Sequence, residues 1–597
     1  MTPSLDLGMI GNCSYAALID THARLIWCCL PRFDGDPIFN ALINDQAATD
    51  ENGEGVMAID LKGLDSATQR YVPRTAILKT RLTSPDGVIE VTDFAPRYGD
   101  RGRSFRPRTL VRRIEVVSGS PRVRLRVRPT FDYGAARPKR TRGSNHIRYV
   151  GDEATFRLTT NVSVDYILSE TWFNLNEPAC LIFGPDEPLS DSAPLIAREF
   201  EERTTDYWLS WTRRLALPME WQDAVIRAAI TLKLCAYEET GAIVAAVTTS
   251  IPESADSGRN WDYRYCWIRD AFFVVRALNN LAAVRTMENY FAWIMNVVAE
   301  ADGAHLQPVL GIGMEQHLTE RQIDTLAGYR GMGPVRVGNQ AHEHHQFDVY
   351  GNVVLGAAQA FIDQRMTRCA GPRDFARLEE IGFHAFERYD QPDAGMWELR
   401  TRARIHTSSS LMCWAACDRL AKLAKALALQ DRHLLWTERA DKIRAEILAR
   451  AWSDKRQAFV ESFEGEALDA SVLLMAEVGI IDPKDPRFVA TVERIEDVLA
   501  NGPHVRRYEA PDDFGVPETA FNICAFWRLD ALARIGREDE ARDIFETLLG
   551  YRNQSGLLSE DTHPQTGEMW GNLPQTYSMV GIINSAMRLS KPWETVV

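Results

Sequence analysis

Six strongly apolar segments recur through the second half of the chain, and each follows a polar, loop-like stretch. They begin at residues 270, 348, 408, 469, 519 and 578, so that 50 to 78 residues separate one start from the next. Each interval has room for a loop, an apolar helix and a second helix that is charged on one side. Because helices that are apolar nearly all round are buried and one-sided helices lie outside, the pattern predicts six inner and about six outer helices.

A closed ring of helical hairpins, an (α/α)6 barrel, satisfies this pattern, and an open helical solenoid is the alternative. The uneven loops favour the barrel. If the inner helices run parallel, the loops before them gather at one mouth; these loops, rich in aromatic, charged and histidine residues, are 259–270, 337–348, 395–408, 459–469, 506–518 and 556–578. Functional residues collect on loops that a rigid scaffold holds, so we expect the site at this mouth.

Residues 1 to about 200 have the short period of β-strands. The stretch "VRLRVRP" at 123–129 alternates apolar and charged residues, and "RLTSPDGVIEVTDF" at 81–94 is two strand-like runs joined by a Pro-Asp-Gly turn. Many short strands separated by turns favour an antiparallel β-sandwich. We therefore predict a β-sandwich domain over 1–198, a linker helix over 199–218 and the barrel over 219–597.

The composition excludes several classes of function. A net charge of −14 argues against a general nucleic-acid binder, which needs clustered Lys and Arg. No run of about 18 apolar residues predicts a membrane span, and the N-terminus lacks the basic and apolar regions of a secretory signal. The ten cysteines are scattered without a CxxC pair, which favours reduced thiols in a cytoplasmic protein.

Two carboxylates in the predicted mouth loops have surroundings that suit sugar chemistry. Glu398 follows a tryptophan in "GMWELR" (395–400), and Glu560 lies in a similar glycine-led loop, "GLLSED" (556–561). Sugars offer apolar C–H faces to aromatic rings and hydroxyls to charged partners. Cleavage of a glycosidic bond typically needs two carboxyl groups. Trp397 suits an acid at the next position, because an indole that excludes water keeps a nearby carboxyl protonated.

The chain resembles glycoside hydrolase family 15, which includes bacterial glucoamylases, glucodextranases and trehalase-like enzymes. The motifs that carry the resemblance extend over nearly the whole chain: "IGNCSYAALID", "IWCCLPRFD", "RNWDYRYCWIRDA", "LTERQIDTLAGYRGMGPVRVGNQA", "GMWELR" and "GLLSEDTHPQTGEMWGNLPQTYS". The resemblance implies a β-sandwich packed on a catalytic (α/α)6 barrel, and exo-acting hydrolysis with inversion at the anomeric carbon. Inversion predicts carboxyl groups roughly 6.5–9.5 Å apart.

The resemblance also implies roles for particular residues. Glu398 corresponds to the general acid and Glu560 to the general base that activates water. Arg269 and Asp270 in "WIRD" match the pair that holds hydroxyls of the terminal glucose. Further substrate-binding residues are Trp267, Trp261, Asp262, Arg336, Trp397 and Arg400. The structural alternatives are loop glutamates that cap helices or pair with arginine, and an Arg–Asp ion pair at a helix start.

Three stretches depart from the family pattern. "THARLIW" replaces the usual Asp-Gly-Ser-Ile-Asp-Trp turn near the N-terminus, "HEHH" at 342–345 is unusually rich in histidine, and "RTRARIHTSSS" after Glu398 is also unusual. The histidine spacing does not match the i, i+4 geometry of a helical zinc pair, so we expect no metal and no cofactor. These departures leave the catalytic pair intact, but they leave the leaving-group subsite and the natural substrate open.

The leading hypothesis is a glucoamylase-like, inverting, exo-acting α-glucoside hydrolase that releases β-glucose from the non-reducing end of short α-glucosides or glucans. A trehalase is the alternative within this class. An (α/α)6 sugar epimerase or lyase, which would use His or Tyr263 for proton abstraction, is the alternative of another class. The expected partner is a small oligosaccharide or disaccharide. Linkage preference, substrate length and assembly into a homo-oligomer stay open.

Overall fold

The computed structural model describes residues 3–301 and 305–596. Near the N-terminus, a pair of antiparallel sheets encloses one apolar core, which confirms the predicted β-sandwich. The seven-stranded sheet contains, in spatial order, Leu7–Gly11, Ala16–Asp20, Leu25–Leu30, Val56–Leu61, Arg122–Arg128 and Phe173–Asn174, with Asp36–Phe39 paired to Leu25–Leu30. The eight-stranded sheet contains Lys139–Arg142, His146–Val150, Thr155–Thr160, Ala179–Pro185, Leu110–Gly119, Gly87–Phe94, Leu78–Ser84 and Ser66–Tyr71.

Local sequence signals explain these strands. Val123 and Leu125 point into the core between half-buried arginines, as the alternation predicts. Arg126 breaks the alternation and is buried because its guanidinium pairs with Asp60, Nε to Oδ2 over 2.7 Å. The Pro-Asp-Gly turn joins two paired strands, with Ser84 opposite the turn glycine. The polar turn and the apolar period together set the register of this hairpin.

The rest of the chain is mainly helical. The α-helices of the described residues are α1 (Val164–Leu168), α2 (Ala193–Thr212), α3 (Gln222–Leu234), α4 (Ile268–Asn280), α5 (Val284–Ala301), α6 (Asp348–Ala358), α7 (Pro372–Arg388), α8 (Thr407–Ala426), α9 (Gln430–Arg450), α10 (Leu474–Val478), α11 (Pro486–Leu499), α12 (Asn522–Ile535), α13 (Glu538–Leu549), α14 (Thr576–Leu589) and α15 (Trp593–Val596). Short strands between them include Cys266–Trp267, Val309–Leu310, Arg321–Ile323, Gly328–Tyr329, Val335–Val337, Ala520–Phe521, Asp561–Thr562 and Met569–Trp570.

Six helices form a closed inner ring. In chain order α4, α6, α8, α10, α12 and α14 are neighbours, with a 3₁₀ turn at Ala470–Leu473 completing the contact between α8 and α12, and α14 packs on both α12 and α4. The contact between the last and the first helix closes the ring. It confirms the (α/α)6 barrel and excludes the open solenoid. Helices α3, α5, α7, α9, α11 and α13 lie outside.

Two helices differ from the sequence-based expectation. The fourth apolar run yields only the 3₁₀ turn and the five-residue α10, because Gly479 ends the helix at φ +98°. The linker helix predicted over 199–218 is α2, which begins earlier and ends earlier. Pro194 is tolerated in its first turn, and Trp208 anchors its buried face. The domain boundaries at 198 and 218 stay predictions.

The sandwich and the barrel share buried contacts. Trp27 Nε1, from the first sheet, donates to Val247 O over 2.7 Å. Asn553 Nδ2 donates to Leu5 O over 3.0 Å and to Leu7 O over 2.9 Å. One continuous apolar core includes residues of both the sandwich and the barrel. The sandwich and the barrel are therefore joined by buried polar and apolar contacts.

Within the described residues, no helix has both the length and the apolar character needed to cross a membrane. All ten cysteines lie in the described ranges. None forms a disulfide, nine are buried and Cys369 is exposed. The thiols are therefore unpaired, as their scatter along the sequence predicts.

Candidate active site

A pocket opens at the end of the barrel where the inner helices begin. Side chains come from five of the six mouth loops predicted from the sequence, the exception being 459–469. Aromatic rings, arginines and carboxylates make up much of the lining. Glu398 and Glu560, which are far apart in sequence, both line it.

Glu398 lies in a strained turn that precedes α8. Its φ is +62°, in the left-handed region that a residue with a Cβ seldom adopts. Trp267 Nε1 donates to Glu398 Oε1 over 2.6 Å, and Arg269 Nη2 donates to the same oxygen over 3.4 Å. Strained backbone of this kind persists where its surroundings fix it, and it clusters at active sites. The turn and these two donors thus hold the Glu398 carboxylate in the pocket lining.

Glu560 lines the same pocket and is buried, with 2% of its surface exposed. Its amide donates to Asn572 O over 3.2 Å, and Tyr263 donates its hydroxyl hydrogen to Glu560 Oε1 over 2.7 Å. Glu560 Oε2 accepts no hydrogen bond within the described residues. Gly571, at φ +75°, packs against this carboxylate so closely that a Cβ there would lie 2.8 Å from Oε2.

Three carboxylates share one arginine at this position. Arg507 Nη2 donates to Asp561 Oδ2 over 2.9 Å and to Glu560 Oε1 over 3.4 Å, and its Nη1 donates to Glu253 Oε2. Burial raises the pKa of Glu560 well above its ordinary value, Glu253 and Asp561 add to the rise, and Arg507 opposes it. Burial also raises the pKa of Asp561 to about 7. Glu560 and Asp561 therefore hold protons at a higher pH than exposed carboxyls do.

A chain of contacts connects the two glutamates. Tyr263 bonds Glu560 through its hydroxyl, and its ring packs edge-on against Trp267 with centroids 5.3 Å apart. Trp267 in turn donates to Glu398. Burial and the neighbouring Glu560 raise the pKa of Tyr263 well above its ordinary value, so the hydroxyl stays a donor. The two carboxylates are thus oriented by one rigid aromatic pair.

Arg269 and Asp270 lie where α4 begins, beside Glu398. Arg269 Nη1 donates to Gln346 Oε1 over 3.2 Å, and Gln575 Nε2 donates to Asp270 Oδ1 over 3.4 Å. Burial raises the pKa of Asp270 to about 6, with Arg269 opposing. Both side chains line the pocket. Their long mutual distance, 3.6 Å from Nε to Oδ2, leaves capacity for further hydrogen bonds.

Trp397 and Trp267 have different partners from those expected from the sequence. Trp397 lines the pocket, but its Nε1 donates to Asp469 Oδ2 over 2.7 Å and its ring packs on Tyr508, 6.0 Å away. The indole that contacts Glu398 is that of Trp267. The expectation that Trp397 shields its sequence neighbour is therefore corrected, because adjacent residues in this turn point in different directions.

Trp261 and Arg400 form a second aromatic and cationic group in the pocket. The Arg400 guanidinium lies 4.5 Å from the Trp261 ring centroid and Nη2 pairs with Glu320 Oε2 over 2.9 Å. Trp261 Nε1 donates to Glu253 Oε1 over 2.9 Å. Glu253 therefore joins this group to the carboxylate cluster around Arg507.

Asp262 and Arg336 lie outside the pocket lining, which corrects their sequence-based placement. Asp262 is fully buried and pairs with Arg264, Nη2 to Oδ2 over 2.7 Å. Arg264 then reaches into the N-terminal sandwich and donates to Gly35 O over 2.9 Å and Tyr133 OH over 3.0 Å. Arg336 lies behind Trp261, 4.8 Å from the ring centroid, and so supports a pocket residue from outside.

The histidine-rich stretch contributes one side chain to the pocket, His344. Burial lowers its pKa, although the charge of Glu398 opposes this. His345 packs against His305 with tilted rings whose centroids are 4.1 Å apart. Across residues 3–301 and 305–596, no group of three His, Cys, Asp or Glu side chains is arranged to hold a metal ion.

Sequence reasoning missed several pocket residues. Glu253 stands in "SIPESADSG", ahead of the predicted mouth loops, and no local pattern distinguishes it. Arg507, Asp512 and Asp513 belong to a predicted mouth loop, so their location was foreseeable although their partners were not. The sequence suggested Tyr263 only as a base for a rival reaction. Its bond to Glu560 shows a different use of the same hydroxyl.

Comparison with known proteins gives matches over almost the whole chain. Residues 220–587 match the model of glycosyl hydrolases family 15, and residues 2–173 match the model described as trehalase-like, N-terminal. A trehalase of Mycolicibacterium smegmatis is 31% identical, with 99% of this chain and 92% of the relative covered. A trehalase of Thermoplasma volcanium is 30% identical, with 98% and 93% covered.

Among solved structures, a bacterial glucoamylase complexed with acarbose superposes with a TM-score of 0.69, covering 99% of this chain and 95% of that one. The two sequences are 12% identical. The similarity is therefore one of fold, and it agrees with the sandwich followed by a helical barrel described above.

Proposed function

The chain belongs to glycosyl hydrolases family 15 and is a glycosidase, and we propose that its substrate is α,α-trehalose. The observation that carries the proposal is the match of relatives named trehalase to 98–99% of this chain at 30–31% identity. The sequence-based hypothesis put a glucoamylase-like enzyme first and a trehalase second, and the relatives favour the opposite order. Membership of a hydrolase family leaves no support for the epimerase or lyase alternative.

In the proposed mechanism Glu398 is the general acid and Glu560 is the general base. Glu398 protonates the glycosidic oxygen as its bond to one glucose breaks, and Glu560 takes a proton from the water that attacks this carbon from the opposite face. The water oxygen forms the new bond. One glucose is therefore released as the β-anomer and the other departs as α-glucose. Both glutamates line one pocket, as this reaction requires.

The surroundings of Glu560 support the role of a fixed base. Tyr263 and Arg507 hold Oε1, while Oε2 accepts no hydrogen bond from the described residues. We assign Oε2 as the atom that accepts the proton from the attacking water. Because burial raises the pKa of Glu560, the charged base forms at a higher pH than an exposed glutamate would. The acid limb of the pH–rate profile is therefore expected above the ordinary range of glutamate.

Two groups of side chains support the binding of two glucose rings. Trp267, Arg269 and Asp270 cluster beside Glu398, and we assign them to the glucose that is attacked. Trp261 and Arg400 stack on each other, and we assign them to the departing glucose. Each group combines a flat ring for the C–H face with charged partners for hydroxyls.

Glutamine variants test the assigned roles. Glu398→Gln and Glu560→Gln are expected to lower kcat on trehalose by ~10²–10⁴-fold, the usual contribution of a general acid or base, with little change in the Kd measured by calorimetry. Glu387→Gln serves as the control, since that side chain is 66% exposed on α7. Wild-type turnover in either active-site variant would reject the mechanism.

A substrate panel tests the choice of trehalose. We expect trehalose to have a higher kcat/KM than maltose, kojibiose, nigerose, isomaltose, dextran and starch. Proton NMR of fresh product should show α- and β-glucose in equal amounts, because only one of the two glucose units is inverted. A preference for maltose, dextran or starch would restore the glucoamylase-like hypothesis, and α-glucose alone would indicate retention.

A further inference from the structure

Residues 510–516, "APDDFGV", cross the pocket mouth between two loops that carry pocket residues; we call them the cap segment. Asp512, Asp513 and Phe514 line the pocket. Phe514 is 41% exposed and Val516 is 50% exposed. The apolar core therefore does little to hold this segment, and its position depends on other contacts.

Polar contacts tie the cap segment to the loop that carries Trp261. Arg259 Nη2 donates to Asp512 Oδ1 over 2.6 Å and to Gly515 O over 3.1 Å, and Tyr508 donates its hydroxyl hydrogen to Asp512. The Arg259 and Asp512 side chains are both 7% exposed. A nearly buried, bidentate ion pair of this kind is geometrically specific. One end of the segment is thus fixed.

Asp513 ties the same segment to the loop that carries Glu398. The Arg400 amide donates to Asp513 Oδ2 over 2.6 Å, and Thr401 donates its hydroxyl hydrogen to Oδ1. Arg402 Nη2 adds a bond to Pro511 O. The residues that directly follow the turn of Glu398, which has a positive φ, are therefore hydrogen-bonded to the cap segment.

Phe514 completes a wall on this side of the pocket. Its ring meets Trp261 edge-on with centroids 5.3 Å apart. Trp261 also packs on Arg400, the group assigned to the departing glucose. Among the described residues, none of the hydrogen bonds of the cap segment goes to Arg269 or Asp270, which lie beside the attacked glucose. The wall is therefore on the leaving-group side.

We propose that the cap segment closes the leaving-group side of the pocket and restricts the enzyme to a substrate of two sugars. The inference rests on the proposed hydrolysis of trehalose and adds its specificity determinant. Asp513 and Phe514 carry the effect: Asp513 holds the segment over the second sugar, and Phe514 occupies the space that a third sugar would need. Neither is assigned a role in proton transfer.

Kinetics with substrates of two lengths test this inference. Phe514→Ala and Asp513→Ala are each compared with wild type on trehalose and on maltotriose. We expect the KM for trehalose to rise ~10–100-fold in Asp513→Ala, because this variant loses the hydrogen bonds to the Asp513 carboxylate that hold the segment in place. We expect the ratio of kcat/KM for maltotriose to that for trehalose to rise ~10-fold or more. Phe514→Tyr should restore the wild-type ratio. Asp497→Ala is the control, since Asp497 is also paired with an arginine but is 67% exposed on α11.

The outcomes separate this inference from the proposed function. An unchanged ratio in both variants, with wild-type melting temperatures, overturns the inference while trehalose hydrolysis stands. If the wild type prefers maltose to trehalose, the proposed function fails, and the same variants are compared on maltose against maltotriose. If Asp513→Ala unfolds, Phe514→Ala decides, because it leaves the hydrogen bonds of Asp512 and Asp513 in place.

Discussion

Replacing Gly571 with alanine should damage catalysis more than stability. At φ +75°, an alanine is expected to cost ~1–2 kcal/mol of folding free energy. Its Cβ would also lie 2.7 Å from Glu560 Cβ and 2.8 Å from Oε2, so the glutamate must move. Displacing a catalytic group by ~1 Å can lower a rate ~10²-fold. We therefore expect kcat to fall by about this factor while the protein remains folded.

The assay is kcat for trehalose, or for the preferred substrate of the panel, together with the free energy of unfolding. Gly502→Ala is the matched control, since Gly502 has φ +60° but no atom of the described residues within 4 Å of the site of its Cβ. It should show the stability loss without the loss of turnover. If Gly571→Ala keeps the kcat of Gly502→Ala at equal stability, the contact with Glu560 does not position the base.

Three further predictions concern charge and exposure. Glu253→Gln removes a negative charge that raises the pKa of Glu560. The base then deprotonates at lower pH, so the acid limb of the pH profile of kcat/KM should shift to lower pH. A shift to higher pH would contradict the assignment. Asp93→Asn leaves the fully buried Arg112 without its carboxylate, 2.6 Å away; denaturant titration should show a loss of ~3–5 kcal/mol, and a loss below ~1 kcal/mol, the usual value of an exposed pair, would contradict it. Cys369 is the exposed thiol of the ten; a thiol reagent should label one site in the folded enzyme and ten after unfolding, and rapid labelling of several sites in the folded state would show that the core opens.

The ring of helices was predictable because each inner helix is marked by an apolar run within its own stretch of sequence. An inner helix of a barrel is covered on all sides, so most positions of α4, α8 and α14 are buried, and their apolar residues form runs that are visible in the sequence. The end of the fourth run was missed because one left-handed glycine, Gly479, decides it. The start of α2 was missed because Pro194 looks like a break but is tolerated in a first turn.

The active site was only partly predictable, for a related reason. Glu398 and Glu560 stand in the loops that precede α8 and α14, and each belongs to a short motif that can be recognised in the sequence. Glu253 joins the site because it pairs with Arg507, 254 positions away. No spacing rule connects the two residues in the sequence. The position of Trp397 next to Glu398 in the sequence was misleading. The tryptophan that bonds to the Glu398 carboxylate is Trp267, from another loop.

The buried Arg264 has a consequence for how such enzymes evolve. Its charge is neutralised by Asp262 beside the pocket, and other donors of its guanidinium reach Gly35 and Tyr133, in turns of the N-terminal domain. A gene fragment that encodes the helical barrel alone would produce a protein in which Arg264 loses its acceptors at Gly35 and Tyr133 and a buried ion pair becomes open to water. Exchange of either half with a distant homologue faces the same penalty, so the two halves are expected to be inherited together.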